Sequence, residues 1–275
     1  GIAHAVGENR DPSAAYPMAS LSKAITAICL NALLEETDYT WNSTLEDLAP
    51  VLETVNLTPA KAMQTKTLAT FATHQSGLPE RLIQGKTSLR KRHLDSQPAM
   101  ARTALKVPEN FNAVQGYSYA NANYAILGTV IGALSGKPYA DVCKTRAMEP
   151  AGASNAHAAG KMARTAGYGG WSVSVEDYAR FAMHWFGPQM PWVQAPENYA
   201  YGRESGYGLG VGMRWVGDGY VLRHRGSWTH KDPNMPNVGS LFLVGVDGTT
   251  VVVNWDGALE KAAYDALSGA ILERM

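Results

Sequence analysis

Reactive potential in this sequence concentrates at Ser20-Leu21-Ser22-Lys23. An i, i+3 spacing at the start of a helix puts a hydroxyl and an amine on one face, within reach of each other. A lysine held there and partly desolvated can be neutral at working pH and take the serine proton as general base. The free backbone N–H groups of a helix N-terminus can also meet a developing oxyanion. Alone the pair is a weak signal. Sixteen serines and eleven lysines in 275 residues give about 0.6 such pairs by chance. A second pair does occur, Ser88-Leu89-Arg90-Lys91, but no apolar helix follows it and it reads as charged surface.

Other signatures fail. Gly85-Lys86-Thr87 looks like the end of a phosphate-binding loop, yet the required first glycine falls at Glu80. The glycines from 206 to 212 are spaced by two and never make a dinucleotide fingerprint. No Gly-x-Ser-x-Gly elbow exists, and the seven histidines show no metal-ligand spacing. No metal and no cofactor is expected.

The elements that must position Ser20 and Lys23 are legible in outline. Residues 20–36 carry a helical apolar pattern through Ala24, Ala27, Ile28, Leu30, Leu33 and Leu34. A second helix spans 121–134 and stops at Ser135-Gly136-Lys137-Pro138. Ser174 caps a third, with Glu176 and Asp177 in its first turn and Tyr178, Phe181, Ala182 and Trp185 on its apolar face. After Pro188 the character turns to strand: 207–215, 220–224, 240–246 and 249–255, with Asp247-Gly248 as a tight turn. The glycine alternation in 207–215 suits a strand against which something packs closely. Residues 1–6 read as a short strand, 7–17 as loop and 262–275 as a closing helix. The order predicts an α/β fold, an antiparallel sheet flanked by helices and interrupted by a large helical insertion. Residues 1–19 and 200–275 are assigned to the sheet domain and 20–199 to the helical one, with the active site between them.

Composition narrows the classes. Hydrophobic residues are 45% and charged residues 17%, which excludes disorder as a description of the chain. Twenty-four basic residues balance twenty-four acidic ones, so a nucleic-acid partner is not expected. The longest apolar stretch, 24–34, is interrupted by Thr26 and Asn31 and falls short of the ~18 residues of a membrane span. Cys29 and Cys143 lie in apolar helical runs and read as small buried hydrophobes rather than a disulfide framework. No signal-peptide pattern is present and the chain starts at Gly1, which leaves the compartment open.

Further motifs raise the weight of Ser20. Met18-Ala19-Ser20-Leu21-Ser22-Lys23 before an apolar helix, Ala72-Thr73-His74-Gln75-Ser76-Gly77-Leu78-Pro79, and Tyr119 to Gly128 (Tyr-Ala-Asn-Ala-Asn-Tyr, then Leu-Gly) follow in order. Gly169-Gly170 with Ser174, Asp177 and Phe181, then Tyr207-Gly208-Leu209-Gly210, then His224-Arg225-Gly226 complete the series. Together they resemble the serine β-lactamase and penicillin-binding-protein superfamily, on its class C, DD-peptidase and family VIII carboxylesterase side, over nearly the whole chain. Nineteen residues precede Ser20, fewer than that family usually carries. The sheet is therefore expected to lack a strand, or to take one from outside this chain. The loop after Gly226, with Trp228, His230, Lys231, Asp232 and two prolines, departs from the family's glycine-rich pattern and touches substrate preference.

The resemblance implies roles. Ser20 is the nucleophile, Lys23 its base and Tyr119 a second proton shuttle. Asn121 bonds Lys23 and the substrate's acyl side. His224 stands where the family has lysine or histidine, donating to Tyr119 or to a substrate carboxylate, with a buried structural histidine as the competing reading. Gly226 lets the strand approach the substrate, and the backbone N–H of Ser227 joins that of Ser20 in an oxyanion hole. Trp185, Trp192 and Trp228 read as core more than as an acyl pocket. The expected activity is carboxylesterase-like hydrolysis of a small ester or amide through an acyl-enzyme. DD-peptidase, D-aminopeptidase and β-lactamase are alternatives within the family. A non-catalytic β-lactam-binding sensor or scaffold is the rival of another class.

Overall fold

In the computed structural model the described residues are 6–79, 96–106, 115–203, 206–229, 237–257 and 259–275. The second Ser-x-x-Lys pair, Gly85-Lys86-Thr87, residues 1–5 and His230 to Asp232 lie outside them.

A 3-10 turn, Ala19–Leu21, leads directly into α1, Ser22–Leu34. Every residue of α1 except Ala32 is buried. The helix is apolar nearly all round, and such a helix belongs in the middle of a core rather than on its rim. Short helices follow: α2 (Ala49–Glu53), α3 (Lys61–Gln64) and α4 (Leu68–Ala72), the last capped by the Thr67 hydroxyl. Then come α5 (Gln97–Leu105), α6 (Asn121–Ser135) and α7 (Tyr139–Cys143). The α6 helix stops at Gly136 in the left-handed conformation, φ 63°. The third capped helix, α8 (Val175–Phe186), has the Ser174 hydroxyl accepting the Asp177 N–H at 3.0 Å, and is followed by α9 (Pro191–Gln194).

Two antiparallel sheets frame these helices. A small one has the order β1-β3-β2, built from β1 (Tyr16–Pro17), β2 (Ala156–His157) and β3 (Ser172–Val173). It ties the segment just before the Ala19–Leu21 turn to the helical part of the chain, since Tyr16 pairs with Val173. Among the described residues the large sheet has six strands in sequence order: β4 (Tyr201–Gly202), β5 (Tyr207–Gly208), β6 (Val211–Val216), β7 (Gly219–Trp228), β8 (Val238–Val244) and β9 (Thr250–Asp256). All of β8 is buried because both faces are covered. Phe242 and Val244 join the main core, where Phe242 packs on Tyr178 and Phe186; Leu241 and Leu243 face the terminal helix α10 (Lys261–Leu272) through Tyr264.

The cysteines correct the sequence reading. Cys29 of α1 and Cys143 of α7 form a disulfide with Cα atoms 5.0 Å apart, across 114 positions of sequence. Closing a loop of that length restrains the unfolded chain by up to about 4–5 kcal/mol in the chain-entropy account. Apolar surroundings and a disulfide are compatible; only the packing of α1 on α7 shows that these two residues meet.

Candidate active site

Ser20 sits in a turn that the rest of the fold holds from several sides. The Met18 N–H donates to the Trp171 carbonyl (2.9 Å), and the Ser240 hydroxyl donates to the Met18 carbonyl (2.7 Å). Asn254 Nδ2 donates to the Pro17 carbonyl (2.9 Å) and the Tyr178 phenol to the Leu21 carbonyl (2.9 Å). Ser22 Oγ accepts the Trp171 N–H at 3.1 Å, which gives this neighbouring serine a scaffolding task. Ala19 is held at φ 46°, a left-handed conformation costly for a residue with a Cβ. Such strain persists only where the surroundings over-determine it, as these five bonds do.

Lys23 lies one turn along, wholly buried. Its Nζ is 3.1 Å from Ser20 Oγ, 2.8 Å from Asn121 Oδ1 and 2.8 Å from the Tyr168 carbonyl. It also stands 4.9 Å from the centroid of the Tyr119 ring, a cation–π distance for the charged form. The sequence-predicted Ser20, Lys23, Tyr119 and Asn121 are thus brought together. Tyr119 occupies the extended segment before α6, and Asn121 is the first residue of that helix.

His224 is bonded to Arg225 and Tyr207. It is buried on β7, with Nδ1 2.8 Å from the Arg225 carbonyl and Nε2 2.9 Å from the Tyr207 phenol. A carbonyl can only accept, so Nδ1 carries the proton, Nε2 is the acceptor and Tyr207 donates. Burial, and then the nearby Lys23 charge, push the imidazole down to about 3, so it is neutral. Its ring is 6.2 Å from that of Tyr119.

Pairing of β6 with β7 ends at Arg223, opposite Gly212, so the flank of β7 beyond it is left to the Ala19–Leu21 turn. Gly226 makes that approach possible: a Cβ there would lie 2.1 Å from Ser240 Oγ, 2.4 Å from the Met18 carbonyl oxygen and 3.1 Å from Ala19 Cβ. The space Gly226 vacates is therefore filled by the protein itself. Ser227, next along the strand, is exposed and pairs with Gly239. Trp228 packs edge-on to Tyr168 and over Gly169, beside the residue whose carbonyl holds Lys23. Trp185 and Trp192 instead pack on each other.

Residue-type reasoning missed three contributors. The Tyr168 carbonyl is a backbone group and leaves no trace in residue type. Tyr207 and His74 stand in motifs quoted above, and those motifs were the available signal. His74 is wholly buried, and burial, then the nearby Lys23 charge, holds it well below the ordinary histidine value. Tyr124 and Tyr207 are pushed well above the ordinary phenol value, chiefly by burial, and stay protonated. Among the described residues no group of three or more His, Cys, Asp or Glu could hold a metal ion, and no helix is long and apolar enough to cross a membrane.

A family model described as Beta-lactamase matches residues 4–266. The chain belongs to the Beta-lactamase family. Its members are serine hydrolases, and the mixed helical and antiparallel fold found here is theirs. Similar solved structures within the Beta-lactamase fold include a penicillin-binding protein from Bacillus halodurans, 18% identical with a TM-score of 0.69 over 96% of this chain and 88% of that one. A D-amino acid amidase from Ochrobactrum anthropi SV3 is 15% identical, TM-score 0.68, over 97% and 88%. A D-stereospecific amidohydrolase from a Streptomyces species is 20% identical, TM-score 0.66, over 91% and 84%. No curated protein is significantly similar in sequence.

Proposed function

We propose that this protein hydrolyses a small, neutral ester or amide through an acyl-enzyme on Ser20, with carboxylesterase-like substrates foremost. The observation that carries the reading is the coordination of Lys23. As an ammonium it offers one proton to each of three oxygens, Ser20 Oγ, Asn121 Oδ1 and the Tyr168 carbonyl. As a neutral amine it keeps two N–H groups. The amide and peptide oxygens can only accept, so they take those two, and the lone pair can face the Ser20 hydroxyl, which has a proton to give. Lys23 then receives the hydroxyl proton as Ser20 Oγ attacks the substrate carbonyl. Collapse of the tetrahedral intermediate expels the alcohol or amine, which takes a proton delivered through Tyr119. Water, deprotonated by the same groups, releases the acid and restores Ser20. The backbone N–H groups of Ser20 and Ser227 are assigned to the oxyanion, with Asn121 also bonding the acyl side and His224 and Gly226 bordering the pocket.

His224 supports a neutral substrate. A lysine at its position would offer a cation to a substrate carboxylate, whereas this imidazole is uncharged and its Nε2 is engaged by Tyr207. DD-peptidase and β-lactamase substrates both carry a carboxylate, so those readings rank lower. Amides of D-amino acids lack it. They are the second reading, favoured by the similarity to a D-amino acid amidase and a D-stereospecific amidohydrolase.

The test is intact-protein mass spectrometry over time with p-nitrophenyl acetate, D-amino acid amides, D-Ala-D-Ala peptides and nitrocefin, alongside rates. Steady ester turnover with a transient acyl adduct on Ser20 is expected. Ser20→Ala should lose on the order of 10⁴-fold or more, while Ser22→Ala and Ser88→Ala keep most activity. A stable stoichiometric adduct from the simple esters would reject hydrolysis in favour of a sensor. Rapid clearance of nitrocefin with poor ester rates would promote β-lactamase.

A further inference from the structure

We propose that His74 is the positioning residue for Tyr119, holding the phenol against Lys23 by gripping the backbone on both sides of it. The inference rests on the reading of Tyr119 as a proton carrier in the acyl-enzyme cycle. Tyr119 lies just before α6, which starts only at Asn121, and the intervening Ala120 is extended. Its neighbours are both bonded to His74. The Ser118 N–H donates to the His74 carbonyl at 2.9 Å, and the Ala120 N–H donates to His74 Nδ1 at 3.2 Å. Between these two anchors, the imidazole packs on the Tyr119 ring with centroids 4.4 Å apart.

The imidazole is itself oriented. Ser76 Oγ donates to Asn123 Oδ1 at 2.6 Å, which turns the Asn123 amide so that Nδ2 faces His74 Nδ1 at 3.0 Å. Two donors converge on Nδ1, so it holds no proton and the hydrogen sits on Nε2. That Nε2 has no hydrogen-bond partner among the described residues and is enclosed with the rings of Tyr117, Tyr124 and Tyr207, at centroid distances of 5.9, 5.2 and 4.9 Å. A buried donor left without a partner is costly. A wholly apolar ring would avoid that cost, and it would lose the acceptor for Ala120. His74 also sits at φ 57°, where asparagine is tolerated and most side chains are not.

These features define the experiment. His74→Asn keeps an acceptor at the δ position and suits the backbone, while His74→Phe keeps a ring and lacks the acceptor. With p-nitrophenyl acetate, His74→Phe should lower kcat about 100-fold with KM within about threefold, the signature of misplaced machinery rather than lost binding. His74→Asn should retain at least about tenfold more activity than His74→Phe. Adding Tyr119→Phe to His74→Phe should cost less than about threefold, although Tyr119→Phe alone costs about 100-fold, because the two act as a unit. Losses that multiply, or a His74→Asn variant no better than His74→Phe with both folded, would overturn the proposal. Should the variants fail to fold, nitrogen-15 NMR of the wild-type histidines decides. His74 should be a fixed Nε2–H tautomer from pH 6 to 9, opposite to the Nδ1–H tautomer of His224, and a His74 proton on Nδ1 would overturn it. Absence of any acyl adduct on wild-type Ser20 would strike the hydrolase reading, leaving the tautomer to judge His74 separately.

Discussion

At the scale of the residue, the site turns on what Lys23 can exchange with Ser20. The Asn121 and Tyr168 oxygens bonded to it cannot donate, whereas the Ser20 hydroxyl can return a proton to it. This selectivity depends on an amine that can be neutral. A guanidinium stays protonated and cannot serve. Lys23→Arg should therefore be as inactive in ester hydrolysis as Lys23→Ala, each down about 10³-fold or more, with the fold checked by circular dichroism. An arginine variant running near the native rate would remove Lys23 from the role of base. The pairing of Ser20 with Lys23 was legible from spacing, and Tyr119 and Asn121 from motif. The partner of His224 was not, because Tyr207 lies 17 positions away and reaches it only through the β5–β6–β7 meander.

At the scale of the element, the decisive contact is β7 against the Ala19–Leu21 turn. The turn stays in its strained conformation because β8, β9, α8 and the loop before β3 bond its backbone, and β7 closes the remaining side. Only a residue without a Cβ fits at 226. Gly226→Ala must displace the Ser240 hydroxyl or the turn itself, the hydroxyl being the group that anchors Met18. The expected result is about 1–3 kcal/mol of lost stability by urea titration, the usual cost of overpacking. A kcat loss on the order of 10²-fold should accompany it, since a small shift of Ser20 misaligns attack. Unchanged kinetics would show that the turn does not depend on β7. Gly210 plays the same part on the other side of Lys23, at φ 80°, where a Cβ would lie 2.5 Å from the backbone of Lys23 and Ala24. The glycine alternation announced a close approach there; it did not announce what approaches.

At the scale of the molecule, two buried histidines tie stability to pH. His74 and His224 are neutral in the fold, with His224 pushed down to about 3 and His74 well below its ordinary value. Above pH 6.5 both the folded and unfolded chains hold them neutral, and they contribute no pH dependence. As the pH falls below 6.5 the unfolded chain gains protons that the fold refuses, so stability declines toward the folded values. The slope is up to about 1.4 kcal/mol per pH unit for each histidine. The lowered carboxylates Asp11, Glu36, Asp47 and Asp247 act only below about pH 5. Urea midpoints measured from pH 8 to 5 should therefore fall below pH 6.5. In His224→Gln, whose side-chain oxygen can still accept from Tyr207, the slope should shrink by one histidine's share. A flat profile from 6.5 to 5 would mean that the histidines are charged in the fold.

By itself the sequence determined what repeats locally or recurs as a motif. The apolar pattern of α1, the Ser174 cap, the Asp247-Gly248 turn and the apolar strands on either side of it follow from side-chain periodicity and backbone preference, which act over a few residues. The order of motifs carried the family and, with it, the identity of Ser20, Lys23, Tyr119 and Asn121 as residues to inspect. Tertiary structure decided which groups meet. The Cys29–Cys143 bond, the Tyr168 carbonyl on Lys23, the Tyr207 phenol on His224 and the His74 grip on Tyr119 join positions 17 to 145 residues apart in sequence or depend on backbone groups. The reason is physical: a hydrogen bond or disulfide acts over a few ångströms, and only the packing of α1 on α6 and α7, of α4 on α6, and the β5–β6–β7 meander bring these atoms that close.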